Sequence, residues 1–173
     1  MSVTTTRQVG TSTRGVVFLH ACPAAIAPHA EWALAGVLGQ PCKLEWSAQP
    51  VADGQLRAEA SWVGPVGTAA RLAGALRAWP MLRYEITEEP AHGSDGERLA
   101  YVPGRGFHRS VISANGDIMV TEERLRGLLA RARSAEDLAH GLHELLGSSW
   151  DAELEPYRQA GDGSQVSLFY NVV

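Results

Sequence analysis

The residue types that could do chemistry crowd into one stretch, His20-Ala-Cys22-Pro-Ala-Ala-Ile-Ala-Pro-His29-Ala-Glu31-Trp32. A thiol near a helix N-terminus can be acidified and act as a nucleophile. A neighbouring imidazole would serve as its base, and Glu31 would orient that imidazole. The plainer reading makes Cys22 a small buried thiol, His20 the end of a strand and His29 a solvent-facing residue in a first helical turn. It outweighs the sharper one, and both stay open on residue type alone. His20, Cys22 and His29 are also zinc-type ligands. Their spacing matches no established zinc pattern and a fourth ligand is missing, so no metal and no cofactor is expected. Elsewhere His92 falls in a loop, His108 near a strand start, and His140 with His143 on a solvated helix flank. Asp151, Glu153 and Glu155 read as a solvated helix start. Gly104-Arg-Gly106 is a turn, since no helix follows it to cradle a phosphate.

The elements around the junction follow from periodicity. Gly15 to Ala21 is a short apolar run rich in branched residues, as in a buried central strand. The junction leads into a helix from Pro28, which suits a first turn, to a stop at Gly39. Cys42–Trp46 and Leu56–Trp62 alternate and read as a hairpin pairing Lys43 with Glu59 and Glu45 with Arg57. Thr68 to Trp79 shows one apolar helical face, and Leu82–Thr87 is a further strand. Trp32, Trp46, Trp62 and Trp79 all read as core. The order is that of a ferredoxin-like β-α-β-β-α-β unit within an α+β (α/β) chain, the helices covering one face of an antiparallel sheet. Lys43, Glu45, Arg57, Glu59, Arg83 and Glu85 then form an ionic lattice on the other face, to be covered by residues after 90 or by a protein partner.

Beyond Pro90 come further strands over residues 97–103 and 107–120, an added β-hairpin, the latter range itself folded at Asn115-Gly116, and then C-terminal helices. Thr121 caps the first, Ser134 with Asp137 the second, and a third runs from Ser148 through Tyr157. Gln165–Val173 reads as a last strand. Residues 1–14 read as a disordered tail and 15–173 as one domain, with 15–90 the ferredoxin-like half and 91–173 an extension packed on it.

At 173 residues and 45% apolar the chain can bury one core. A net charge of −4 excludes a basic field for nucleic acid. The outward charges could not stack bases as an RNA-binding sheet does. No run is long enough to cross a membrane, and with no signal peptide before Cys22 and Cys42 a cytoplasmic, reduced protein is expected.

Several stretches together resemble a known family: Arg14-Gly-Val-Val-Phe-Leu-His20, Pro28-His-Ala-Glu-Trp32, Leu76-Arg-Ala-Trp79, Leu82-Arg-Tyr-Glu-Ile-Thr-Glu-Glu-Pro90, Asn115-Gly-Asp-Ile118 and Trp150-Asp-Ala-Glu-Leu-Glu-Pro-Tyr-Arg158. The family is an uncharacterised actinobacterial one, a domain of unknown function, and the chain departs from its pattern around Arg109–Ala114 and Ser167–Tyr170. The resemblance implies a gene that, as is the tendency in that family, lies beside type II fatty-acid synthesis genes. The resemblance therefore implies a protein partner such as an acyl carrier protein or a condensing enzyme.

Two functions follow as expectations. The first is a non-catalytic binding or regulatory protein, a homodimer included. The second is a small enzyme acting on an acyl thioester through the Cys22 and His29 region.

Overall fold

The computed structural model describes residues 11–160 and 166–169. The chain is mixed α+β. In chain order it forms β1 (Ser12–Pro23), α1 (Ala27–Leu38), β2 (Ser47–Ala48), β3 (Gln55–Pro65), α2 (Thr68–Leu76) and β4 (Arg83–Glu88). There follow β5 (Gly96–Val102), β6 (Gly106–Ile112), β7 (Ile118–Met119), the helices α3 (Glu122–Arg131), α4 (Ala135–Leu146) and α5 (Ser148–Gln159), and β8 (Val166–Phe169). The antiparallel strands lie in the order β2-β3-β1-β4-β5-β6-β7, and β8 runs parallel beside β3. Among the described residues no helix is long and apolar enough to cross a membrane.

The core lies between the sheet and α1 with α2. Alternation along β1 sends Val17 and Leu19 to that side, where Leu34 and Leu38 of α1, Leu72 and Leu76 of α2, Trp62, Tyr84 and Ile86 close on them. Burying each large apolar side chain contributes roughly 1.5–3 kcal/mol. The buried stripe of α1 is Ala27, Ala30, Leu34 and Leu38. Trp32 is out of phase with it and 75% exposed, so it is not the core residue its apolar character suggests. Trp62 is fully buried, whereas Trp46 and Trp79 pack only partly against the core.

The predicted hairpin is corrected in extent and register. Cys42–Trp46 joins no ladder; only Ser47 and Ala48 pair with β3, opposite Arg57 and Leu56. Lys43 therefore does not face Glu59, nor Glu45 Arg57. Two competing interactions account for this. Glu31 of α1 accepts the Leu44 N–H at 3.0 Å and the Trp46 indole N–H at 2.9 Å, which ties the segment to the helix. The edge of β3 at Glu59–Trp62 is taken instead by β8, with Val166 opposite Glu59.

Three further boundaries differ. Strand β1 begins at Ser12, inside the stretch read as a tail, because Thr13 donates to the Glu89 carbonyl at 2.7 Å. Helix α2 stops at Leu76, short of Trp79. Residues 1–10, 165 and 170–173, which carry the rest of the tail and of the last strand, lie outside the described residues. The added hairpin and the Thr121 and Ser134 caps form as the sequence predicts: Ser134 accepts the Asp137 N–H at 3.0 Å while Asp137 accepts the Arg133 N–H at 3.1 Å.

Helix α2 has no side-chain cap of its own. The buried carboxylate of Glu88, at the end of β4, accepts the N–H groups of Gly67 at 2.7 Å and Ala69 at 2.8 Å and neutralises that helix end. Glu88→Ala is expected to lower stability by about 1–3 kcal/mol in urea denaturation, the cost of leaving buried donors unpaired. An unchanged unfolding midpoint would show that this cap contributes nothing.

Candidate functional site

One backbone irregularity in β1 separates two of the four junction residues, His20 and Cys22. Leu19 lies opposite Ala58 while Cys22 lies opposite Leu56, so β1 spends one more residue than β3 between these pairs. On the other side Leu19 lies opposite Tyr84 and Ala21 opposite Arg83. The extra residue makes a bulge at His20 and inverts the side-chain alternation after it. His20 therefore points to the outer face of the sheet, stacked on Phe18, while Cys22 returns to the helix-covered core beside Leu19. Cys22 is 0% exposed, and burial pushes its thiol up to about 12. That is the opposite of what a nucleophile needs. Cys42 is buried with its thiol likewise pushed up to about 12, by burial and then by the charge of Glu31.

His29 is exposed and stacks on Trp79, with ring centroids 6.1 Å apart. Glu31 binds Leu44, Trp46 and Lys43 rather than an imidazole. Burial alone would raise its pKa, but these donors outweigh burial and hold the carboxylate below its usual range. Among the described residues no hydrogen bond joins any two of the four.

The polar concentration sits on the outer face, where α5 lies across β4 and β5. Glu85, buried at the centre of β4, receives His20 Nε2 at 2.7 Å and Arg98 Nε at 2.7 Å. It also receives Arg158 of α5 through Nη2 at 2.7 Å and Nε at 2.8 Å. Asp151 bridges the same two arginines, accepting from Arg98 at 2.6 Å and from Arg158 at 2.8 Å. Burial works against ionisation of Glu85, yet His20, Arg158 and Arg98 outweigh it and hold the carboxyl far below the usual carboxylate range. With each oxygen accepting from two donors, Glu85 has no free lone pair with which to take a substrate proton.

The rim of this network is also bonded. Glu153 accepts from Arg83 at 3.2 Å and Arg105 at 3.0 Å, while Arg83 lies over the Tyr157 ring. Asp151 and Glu153 of α5 are thus anchors to the sheet, while Glu155, exposed and bonded only to Arg158 and Gln159 of its own helix, is solvated as the sequence suggests. Apolar packing of Leu154 on Ala100 and Val102, with Trp150 against them, completes the seam. Arg83 and Glu85 were legible as an outward ionic pair. The signal for the helix side of the network was the seven-residue interval between Asp151 and Arg158, which returns them to one helix face.

Ahead of α5 the chain builds an arm. Helix α4 returns beside α3 through residues 132–134, and a Cβ at Gly141 would overlap Leu128, so the helices touch there. Leu129 and Leu142 each lie one residue past this contact. In an antiparallel pair of right-handed helices that advance carries both to the same side. They are 64% and 39% exposed, and Leu146, one turn beyond Leu142, is 41% exposed. Helix α4 has no buried residue at all. Arg124, Arg126, Arg131 and Arg133 share α3 and its end with Glu122 and Glu123, Arg126 paired with Glu122, while α4 bears Glu136, Asp137 and Glu144, so the arm carries both signs of charge.

The fold and this geometry define an α+β protein with a charge-locked sheet face and an exposed helical arm. A family model described as "Protein of unknown function (DUF3145)" matches residues 16–171, and the chain belongs to that family. No curated protein and no solved structure matches it.

The state of the thiols gives a direct check. Cys22 and Cys42 are both expected to resist iodoacetamide at pH 8 in the folded protein and to react fully in urea. Rapid alkylation of Cys22 alone would restore the nucleophile reading.

Proposed function

We propose that the chain is a non-catalytic binding protein that docks an acidic, helical protein partner on the α3–α4 arm. The observation that carries this reading is the row Leu129, Leu142 and Leu146, large apolar side chains left in solvent on one side of a two-helix arm. Exposed apolar patches of this kind mark interaction sites. A partner helix laid along them would bury its own apolar face in a groove. Arg124, Arg131 and Arg133 would pair with acidic residues of such a partner and fix its register on the arm. An acyl carrier protein, implied by the family resemblance, is the first partner to test, and a condensing enzyme the second. The core position of Cys22 argues for binding rather than thioester chemistry.

The test is titration calorimetry of the full chain with a purified acyl carrier protein, repeated with Leu129→Glu and Leu142→Glu. Each substitution is expected to weaken binding at least about tenfold, some 1.4 kcal/mol, with no fall in melting temperature, because neither side chain is core. Binding should also weaken with added salt. Unchanged affinity in both variants, or no binding to either partner, overturns the reading; self-association abolished by the same substitutions would assign the surface to a second copy.

A further inference from the structure

The arm joins α5 at a single residue, Gly147, whose surroundings are unusual. Gly147 ends α4 and begins α5, with φ +78° and ψ 22°, a left-handed conformation that favours glycine. Directly against it lies His108 of β6: a Cβ on Gly147 would fall 2.6 Å from His108 Nε2. The imidazole is buried and packs on Trp150, the first large residue of α5, with ring centroids 4.8 Å apart. Among the described residues its Nε2 has no hydrogen-bond partner, nor has Ser110 Oγ two residues along the same face of β6. Buried imidazole nitrogens without a partner are uncommon. Here one lies at the turn from which the arm projects.

The charged groups around His108 do not favour its protonation. Arg98 of β5 and Arg124 of α3 oppose a second positive charge, while Glu144 of α4 and Asp151 of α5 favour it. Both acids are already engaged, Asp151 by Arg98 and Arg158 and Glu144 by the Ser149 hydroxyl at 2.9 Å. Burial first, then the two arginines, lowers the His108 pKa from its ordinary value of 6.5. The sign follows. A histidine with a depressed folded pKa binds its proton more readily when its surroundings open. The closed hinge is therefore fully favoured above pH 6.5 and loses stability as the pH falls below it.

We propose that His108 is a proton-operated latch on the α4–α5 hinge: neutral, it lets Gly147 and Trp150 close on β6, and protonated, it releases the α3–α4 arm from the sheet. The proposal rests on the reading of that arm as the docking surface and names how that surface is regulated. Release changes the angle between the arm and the sheet, so the partner meets a rigid platform above pH 7 and a loosened one in mild acid. Glu85, at the centre of the carboxylate network, stays ionised through this window, because its carboxyl is held well below it.

Hydrogen exchange of the full chain at pH 7.5 and 5.5, corrected for intrinsic rates, tests the latch. In the wild type the protection of amides in Leu145–Asp151 is expected to fall about tenfold at the lower pH while that of β4 is unchanged. His108→Phe keeps the aromatic packing without the titration and should be equally protected at both pH values. Gly147→Ala should expose the hinge at both. Equal wild-type protection at the two pH values, or an undiminished response in His108→Phe, overturns the latch. Calorimetry with the acyl carrier protein at both pH values separates the two readings. A responsive hinge with no binding sinks the docking reading alone, and binding with a static hinge sinks the latch alone.

Discussion

The interaction on which the rest depends is the neutralisation of Glu85. A carboxylate in the middle of a sheet face is tolerable only if its charge is matched and both oxygens are bonded. Arg98 from the neighbouring strand and Arg158 from α5 supply that match, and His20 adds a further bond at the β1 bulge. One cation therefore comes from a helix far along the chain, so the charge cannot be satisfied unless α5 is docked. Acid works against the arrangement. Because the folded pKa of Glu85 is depressed, its contribution is present above the ordinary carboxylate pKa of 4.5 and is lost as the pH falls below it.

Docking of α5 then decides what the molecule presents to its surroundings. The part of the outer face over β4 and β5 is sealed by Leu154, Trp150 and the Glu153 ion pairs. The arm formed by α3 and α4 is held out from that seam at Gly147, touching itself through Leu128 and Gly141 and burying little else. The apolar surface that a second layer would normally cover is left on the arm. The reactive residue types are meanwhile committed to structure: Cys22 to the core, Glu31 to the segment after α1, His20 to Glu85.

Much of the α+β frame was legible in the sequence. The branched run of β1, the apolar stripe of α2, the Asn115-Gly116 turn and the Ser134 cap are local signals, and local signals survive folding. What could not be read depends on distant partners. The bulge at His20 has no sequence signature, yet it decides that His20 and Cys22 part company. The hairpin register followed good cross-strand charge logic and failed because Glu31 and β8 compete for the same groups. Trp32 looked like core on apolar character alone, although its helical phase pointed to solvent. The junction residues carried the right types for chemistry, whereas the residues that meet in space, Glu85, Arg98, Asp151 and Arg158, are spread over two strands and a helix. Only their facing phases could have hinted at it.

The central claim is that Glu85 and Arg158 hold α5 on the sheet as a coupled pair. A double-mutant cycle measures it directly, using Glu85→Gln, Arg158→Met and the double variant in urea denaturation at pH 7. The account predicts that the two losses are strongly non-additive, with a coupling energy of about 1–3 kcal/mol. Additive losses would show that α5 is held by Leu154 and Trp150 alone, and would contradict it.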